Sequence, residues 1–183
     1  FRTGSLLIAG MPALALKFLP DVVAEFIAEE PGIAVSLRTR SSQAVLRHLS
    51  SQQFDLGFAT LDNDHPAVLR RPLFTGPMLA VLPPGHKLER KTVLEPKDFD
   101  QQPFIALGAE IGTRSETDAF LSLGDARPRI VAEAQLSASI CEMVAAGAGV
   151  SIVEPVTARH FAELGRCVVR PLSPAQPFRY DLL

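Results

Sequence analysis

Short apolar runs and stretches of helical periodicity follow one another along almost the whole chain. The run at residues 6–9 stops at Gly10, and Met11-Pro12 opens a helix, because proline suits the first helical position, where an N–H would have no partner. Leu14, Phe18, Val22, Phe26 and Ile27 then recur at helical spacing, with a kink expected at Pro20 and a stop at Pro31-Gly32. A second strand is predicted over 33–37. Ser41 or Ser42 caps the next helix, on which Val45, Leu46 and Leu49 share a face, and 54–59 reads as a third strand.

A polar loop at 62–66 leads to the apolar run 78–82, which Pro83-Pro84-Gly85 closes with turn chemistry. Residues 86–103 read as irregular. Strands are then predicted over 104–107, 130–132, 150–153 and 167–169, and helices over 116–123, 136–146 and 155–164. The proline-rich stretch 171–177 leads to a last segment, 178–183. Such alternation predicts an α/β fold with parallel sheets covered by helices. The βα sets separate near residue 77, which implies two lobes with a cleft between them.

Composition narrows the function. The 183 residues are 47% hydrophobic and 21% charged, enough for a full apolar core in one domain or two small lobes. A net charge of −2 with no run of like charge lacks the basic footprint of a nucleic-acid surface. The longest uncharged apolar stretch, 6–16, contains Gly10 and Pro12 and falls short of the roughly 20 residues that span a bilayer, so no membrane partner is expected. The chain opens on Phe1 without the ordered regions of a signal peptide, and is read as a piece whose start has been removed.

Cys141 and Cys167 form no C-x-x-C pair and are read as reduced, inert core residues; His48, His65, His86 and His160 are scattered. No metal or cofactor is expected. Gly147-Ala148-Gly149 follows a helix and precedes a strand, the reverse of a phosphate-binding order, and reads as a helix C-cap. Without a G-x-S-x-G elbow or a Ser/His/Asp spacing, no catalytic residue is named and no enzyme is predicted.

Ligands of open α/β sheets sit at the carboxyl ends of strands, where helix N-termini point free N–H groups. Those positions are 11–13, 39–42, 59–60, 108–115, 134–139 and 153–155. The richest contains Gly108, Gly112, Thr113, Arg114 and Glu116, where glycines, a helix start and an arginine suit a carboxylate. Thr113 and Glu116 also have capping-box spacing, so an ordinary capped helix with a solvated arginine stands beside that reading. Ser41, Ser42, Ser137 and Ser139, the last with Glu142 at box spacing, either cap their helices or turn hydroxyls to a carboxylate. Glu154 either pairs a ligand's ammonium or guanidinium, or faces solvent at a helix start. Arg114 and Glu154 together suit a ligand with both charges, such as an amino acid.

Several stretches in order resemble the effector-binding domain of LysR-type transcriptional regulators. They are Gly4-Ser5-Leu6-Leu7-Ile8-Ala9-Gly10, Phe18-Leu19-Pro20 with Phe26, Pro31-Gly32-Ile33, Phe54-Asp55-Leu56-Gly57-Phe58, residues 78–86 with their Leu-Pro-Pro-Gly-His ending, and residues 144–150. The resemblance spans residues 3–183. It implies two Rossmann-like lobes joined by two crossover strands, similar to type 2 periplasmic binding proteins, with lobe I at 5–76 and 178–183 and lobe II at 77–177.

The resemblance also implies a small-molecule effector between the lobes, a homodimer of this domain, and a homotetramer of the full-length protein. DNA would be contacted only through a winged helix-turn-helix domain ahead of Phe1, in a cytoplasmic protein. Effector contacts carried onto this sequence are Met11, Ala13, Ser41, Ser42, Thr60, Gly108, Thr113, Arg114, Ser137 and Glu154. One departure is Met11-Pro12-Ala13, where the family often has Ser or Thr. The wording is most similar to regulators of amino-acid or opine catabolism, of octopine and nopaline type, so the expected effector is an amino acid, an opine or an organic acid. A solute-binding protein feeding a transporter is the alternative.

Overall fold

In the computed structural model, which describes residues 4–183, the first apolar run forms β1 (Gly4–Gly10). The kink expected at Pro20 falls three residues earlier, where α1 (Pro12–Leu16) and α2 (Phe18–Glu29) meet at Lys17, with φ −138°. A proline ring clashes with the carbonyl four residues back, here that of Leu16. The break therefore precedes Pro20, which sits in the first turn of α2, where no N–H is needed.

β2 (Ile33–Thr39) pairs parallel with β1 from Gly4↔Ile33 to Gly10↔Thr39. After α3 (Ser42–Ser50), β3 (Leu56–Ala59) pairs with the other edge of β1, Ile8 opposite Leu56. α3 lies directly on this strand: a Cβ on Gly57 would stand 2.2 Å from Leu49 Cδ1 and 2.7 Å from Val45 Cγ1. Ala9, Val45, Ala59 and Leu183 form a core cluster here, with Leu49, Phe54, Leu61 and Val68 packed on it.

Sequence periodicity missed β4 (Arg71–Pro77), whose Pro72, Gly76 and Pro77 hide a strand. Its place at the sheet edge explains why proline is tolerated there. The sheet order is β2-β1-β3-β10-β4, with β10 (Pro177–Leu182) antiparallel to β3. Phe74 of β4 meets Phe18 of α2 edge to face and Tyr180 of β10 at a tilt, with ring centroids 5.6 and 4.6 Å apart. The chain divides into two units. One comprises the chain up to Thr75 with Arg179–Leu183, the other Gly76–Phe178.

In the second unit β5 (Leu79–Leu82) lies antiparallel between β8 (Ser151–Val153) and β9 (Val168–Pro171). β6 (Pro103–Leu107) pairs parallel with β7 (Arg129–Ala134). The N–H of Ile105 donates to the carbonyl of Val150 at 2.9 Å, and the buried Ser151 hydroxyl to the carbonyl of Ile105 at 2.6 Å, joining β6 to β8. Helices α4 (Gly112–Ser122), α5 (Ser137–Ala145) and α6 (Pro155–Glu163) complete the unit. The stretch predicted irregular contains two 3-10 turns, Lys87–Arg90 and Pro96–Phe99.

α5 stops as its sequence predicts. Gly147 takes φ +85°, its N–H donates to Val144 O at 2.8 Å, and that of Ala148 to Met143 O at 3.1 Å, the paired bonds of a glycine C-cap. Val81, Ile105, Ile140, Cys141, Val144, Val153 and Phe161 form the core beneath the helices.

Candidate functional site

The ends of β1, β2 and β3 bring Met11, Ser42 and Thr60 together. The Met11 N–H donates to Phe58 O at 2.8 Å and the Arg40 N–H to Gly10 O at 3.0 Å, holding the three chain segments side by side. The N–H of Thr60 donates to Ser42 Oγ at 3.2 Å. The Thr60 hydroxyl donates to Arg179 O at 2.8 Å and lies 3.6 Å from Met11 Sδ.

Ser41 is the N-cap of α3, its hydroxyl accepting from the Ala44 N–H at 3.3 Å. Ser42, the first helical residue, keeps its own O–H for donation. Ala13, in the first turn of α1, is buried at 6% exposure, its methyl in the core.

In the second unit, β6 and β7 end side by side, the Gly108 N–H donating to Ala134 O at 3.0 Å. The capping box expected of Thr113 and Glu116 does not form. α4 begins earlier, with Ile111 as N-cap and Thr113 already inside the first turn, its carbonyl accepting from the Thr117 hydroxyl at 3.2 Å.

Arg114 is not a solvated side chain. Its Nε binds Asp118 at 2.9 Å, and one terminal nitrogen binds both Glu133 and the Leu107 carbonyl at 2.8 Å. The hydrogen bond to Glu133 above all raises its pKa further, against the desolvation that lowers it. The guanidinium thus fastens α4 to the ends of β6 and β7.

The box of Ser139 and Glu142 is likewise absent, because α5 starts at Ser137 with Leu136 as N-cap; Glu142 pairs with Arg166. Ser137 stands in the first turn, half-buried, with no partner for its hydroxyl among the described residues. Glu154 neither faces solvent nor presents its carboxylate outward. It is 3% exposed and caps α6, its oxygens accepting from the N–H groups of Val156 at 2.8 Å and Thr157 at 3.1 Å.

Two groupings escaped the sequence. Arg70 reaches the fully buried Asp181 at 2.8 Å, Leu61 O at 2.6 Å and Asp64 at 3.0 Å. Burial opposes this charge, and the hydrogen bonds to Asp181 and Asp64 outweigh it, so the Arg70 pKa is raised. No spacing rule links residues this far apart. The other is Glu110 with Gln135, whose amide donates to the carboxylate at 2.7 Å.

Both cysteines are buried, the Cys167 thiol donating to Cys141 O at 3.4 Å. Desolvation pushes the Cys141 thiol far up and that of Cys167 up to about 11. Among the described residues no His, Cys, Asp and Glu cluster could hold a metal ion, and no helix is long and apolar enough to cross a membrane.

Comparison with known proteins agrees with this architecture. The LysR substrate binding domain family matches residues 2–183. The transcriptional activator protein LysR of Escherichia coli is 35% identical over 183 residues, which are all of this chain and 58% of that protein. Regulatory protein NocR of Agrobacterium tumefaciens is 33% identical over 180 residues, 98% of this chain and 60% of its own length. The chain therefore spans about three fifths of the curated relatives it matches. A solved regulatory domain of Synechocystis CcmR, in complex with 2-PG, superposes with a TM-score of 0.84 at 19% identity, covering 98% of this chain and 86% of that one.

Proposed function

Because this chain belongs to the LysR substrate binding domain family, we propose that it senses a small-molecule effector and thereby controls DNA binding and transcription by the protein it is part of. The relatives that match are transcription regulators rather than enzymes, which favours a sensor over a transporter's solute-binding protein. The observation that carries the reading is the placement of hydroxyls with uncommitted protons in first helical turns: Ser42 in one unit, Ser137 in the other. Neutral donors at helix starts suit a carboxylate without an arginine.

The proposed effector carries a carboxylate, as amino acids, opines and organic acids do. Its proposed contacts are Met11, Ser41, Ser42 and Thr60 in the first unit and Gly108, Thr113 and Ser137 in the second, where Arg114 and Glu154 hold the helices. Sensing requires that the effector bind two states of the protein with different affinity. In the full-length protein this domain forms a homodimer within a homotetramer, DNA contacts belong to a preceding winged helix-turn-helix domain, and the protein works in the cytoplasm.

Thermal unfolding of the chain against amino acids, opines, aromatic acids and sugar acids tests the reading. A ligand at about 100 times its Kd adds roughly 2.7 kcal/mol. A selective rise in Tm that Ser42→Ala and Ser137→Ala diminish is expected; a panel that leaves Tm unmoved rejects it.

A further inference from the structure

Leu69 is the most exposed large apolar side chain among the described residues, at 84%. It does not stand alone. Leu49, Phe54, Leu56, Val68 and Leu182 line an open groove of about 670 Å³ beside it. Val68 and Leu69 also border a second hollow of about 630 Å³, which holds Asp62, Asp64 and Arg179. All these residues belong to one unit, the one that runs to Thr75 and resumes at Arg179. A knob thus stands between an apolar groove and a charged hollow.

The ridge that carries Leu69 is held at both ends. The Ala67 N–H donates to His65 Nδ1 at 3.2 Å and the Val68 N–H to His65 O at 3.1 Å. Arg70, next in sequence, is bound to Leu61 O and to the buried Asp181. Val68 packs on the core cluster of Ala9, Val45 and Ala59, while its neighbour Leu69 stands in solvent. Such a side chain contributes almost nothing to the fold, and only something from outside removes its apolar surface from water.

Charge selects what that is. Asp62 lines the hollow on one side of the ridge and Arg71 the groove on the other; both are exposed and form no ion pair among the described residues. A face with a knob, a groove for a knob, and one unpaired charge of each sign is complementary to itself. A two-fold axis sets each knob against the other copy's groove and each acid against the other copy's base. A ridge held in advance loses little freedom on docking.

We propose that this face is a contact between two copies of the chain, in which Leu69 of each enters the apolar groove of the other and Asp62 of each meets Arg71 of the other. The contact gives a surface to the self-association proposed above and rests on that reading; effector sensing does not depend on it.

Sedimentation equilibrium of this 183-residue chain across a wide range of concentrations reads the contact. A monomer–dimer equilibrium is expected, and Leu69→Asp should raise its Kd at least about tenfold. Arg71→Asp should weaken it too, by setting acid against acid, and adding Asp62→Arg should restore it, a recovery that a folding defect cannot produce. All three positions are exposed, so melting curves should stay unchanged. A dimer that Leu69→Asp and Arg71→Asp leave intact overturns this face and keeps self-association. A chain that stays monomeric at every concentration overturns both, and effector sensing is still decided by its own Tm panel. Saturable binding of octanoate by such a monomer, lost in Leu69→Asp, assigns the groove to a small apolar ligand and overturns the pairing.

Discussion

The N–H of Thr60 donates to the hydroxyl of Ser42, so the residue following β3 is fastened to the residue that begins α3. The same hydroxyl retains an O–H that the protein does not use to make this bond. Ser42→Ala removes one hydrogen bond and leaves the Ser41 cap in place. Urea unfolding should report a loss of about 0.5–1.5 kcal/mol, and effector titration a larger relative loss of affinity than the parallel variant Ser41→Ala.

Glu154 accepts from two N–H groups at the start of α6 while almost wholly buried. Replacing a cap by alanine costs about 0.5–2 kcal/mol, and the orphaned N–H groups here have no water to turn to. Glu154→Ala should therefore lower the urea midpoint at the upper end of that range, with Glu154→Gln falling between. A variant that keeps wild-type stability but loses effector affinity would return this carboxylate to the ligand.

The pairing of Arg70 with Asp181 joins a loop after β3 to β10. Asp181→Asn takes from the Arg70 guanidinium its buried counter-charge and leaves it only the exposed Asp64, which costs up to about 3–5 kcal/mol. Arg70→Met with Asp181→Leu removes both charges and should recover most of that loss. Thermal unfolding of the single and double variants measures the difference.

Buried thiols with raised pKa values make stability depend on pH on the alkaline side. The folded-state pKa lies above the ordinary value of 9.0, reaching about 11 for Cys167, so the unfolded chain releases its protons first. The stabilisation is complete below pH 9 and is lost as pH rises from there toward 11. Urea midpoints taken across that interval should fall, and Cys167→Ala should flatten the fall. Iodoacetamide should label neither cysteine at pH 8 until the chain unfolds.

The alternation of strand and helix was legible because a strand with one or two buried faces and a helix with one impose different hydrophobic periods. That period also located the strand ends, and with them Met11, Ser42 and Thr60. β4 was not legible, since an edge strand tolerates the Pro72 and Pro77 that read as loop. The start of α4 was misjudged because Thr113 has the composition of a cap, yet Ile111 occupies that place; the helix predicted over 136–146 begins where expected, with Leu136 rather than Ser139 as its N-cap. Side-chain direction was lost altogether: spacing placed Arg114 and Glu154 at strand ends, and only the structure shows that Arg114 pairs with Asp118 and Glu133 and that Glu154 is buried as a cap.

β10 gives the molecule a time order. Asp181 pairs opposite Ala59, and Leu183 exchanges backbone hydrogen bonds with Gly57 at 2.8 and 2.9 Å. Residues at the far end of the chain thus fill a gap in a sheet whose other strands were made early. The unit Gly76–Phe178 is continuous in sequence and has all its strands once Phe178 has left the ribosome. The unit that contains β3 must wait for β10, with β3 presenting an unpaired edge until it arrives.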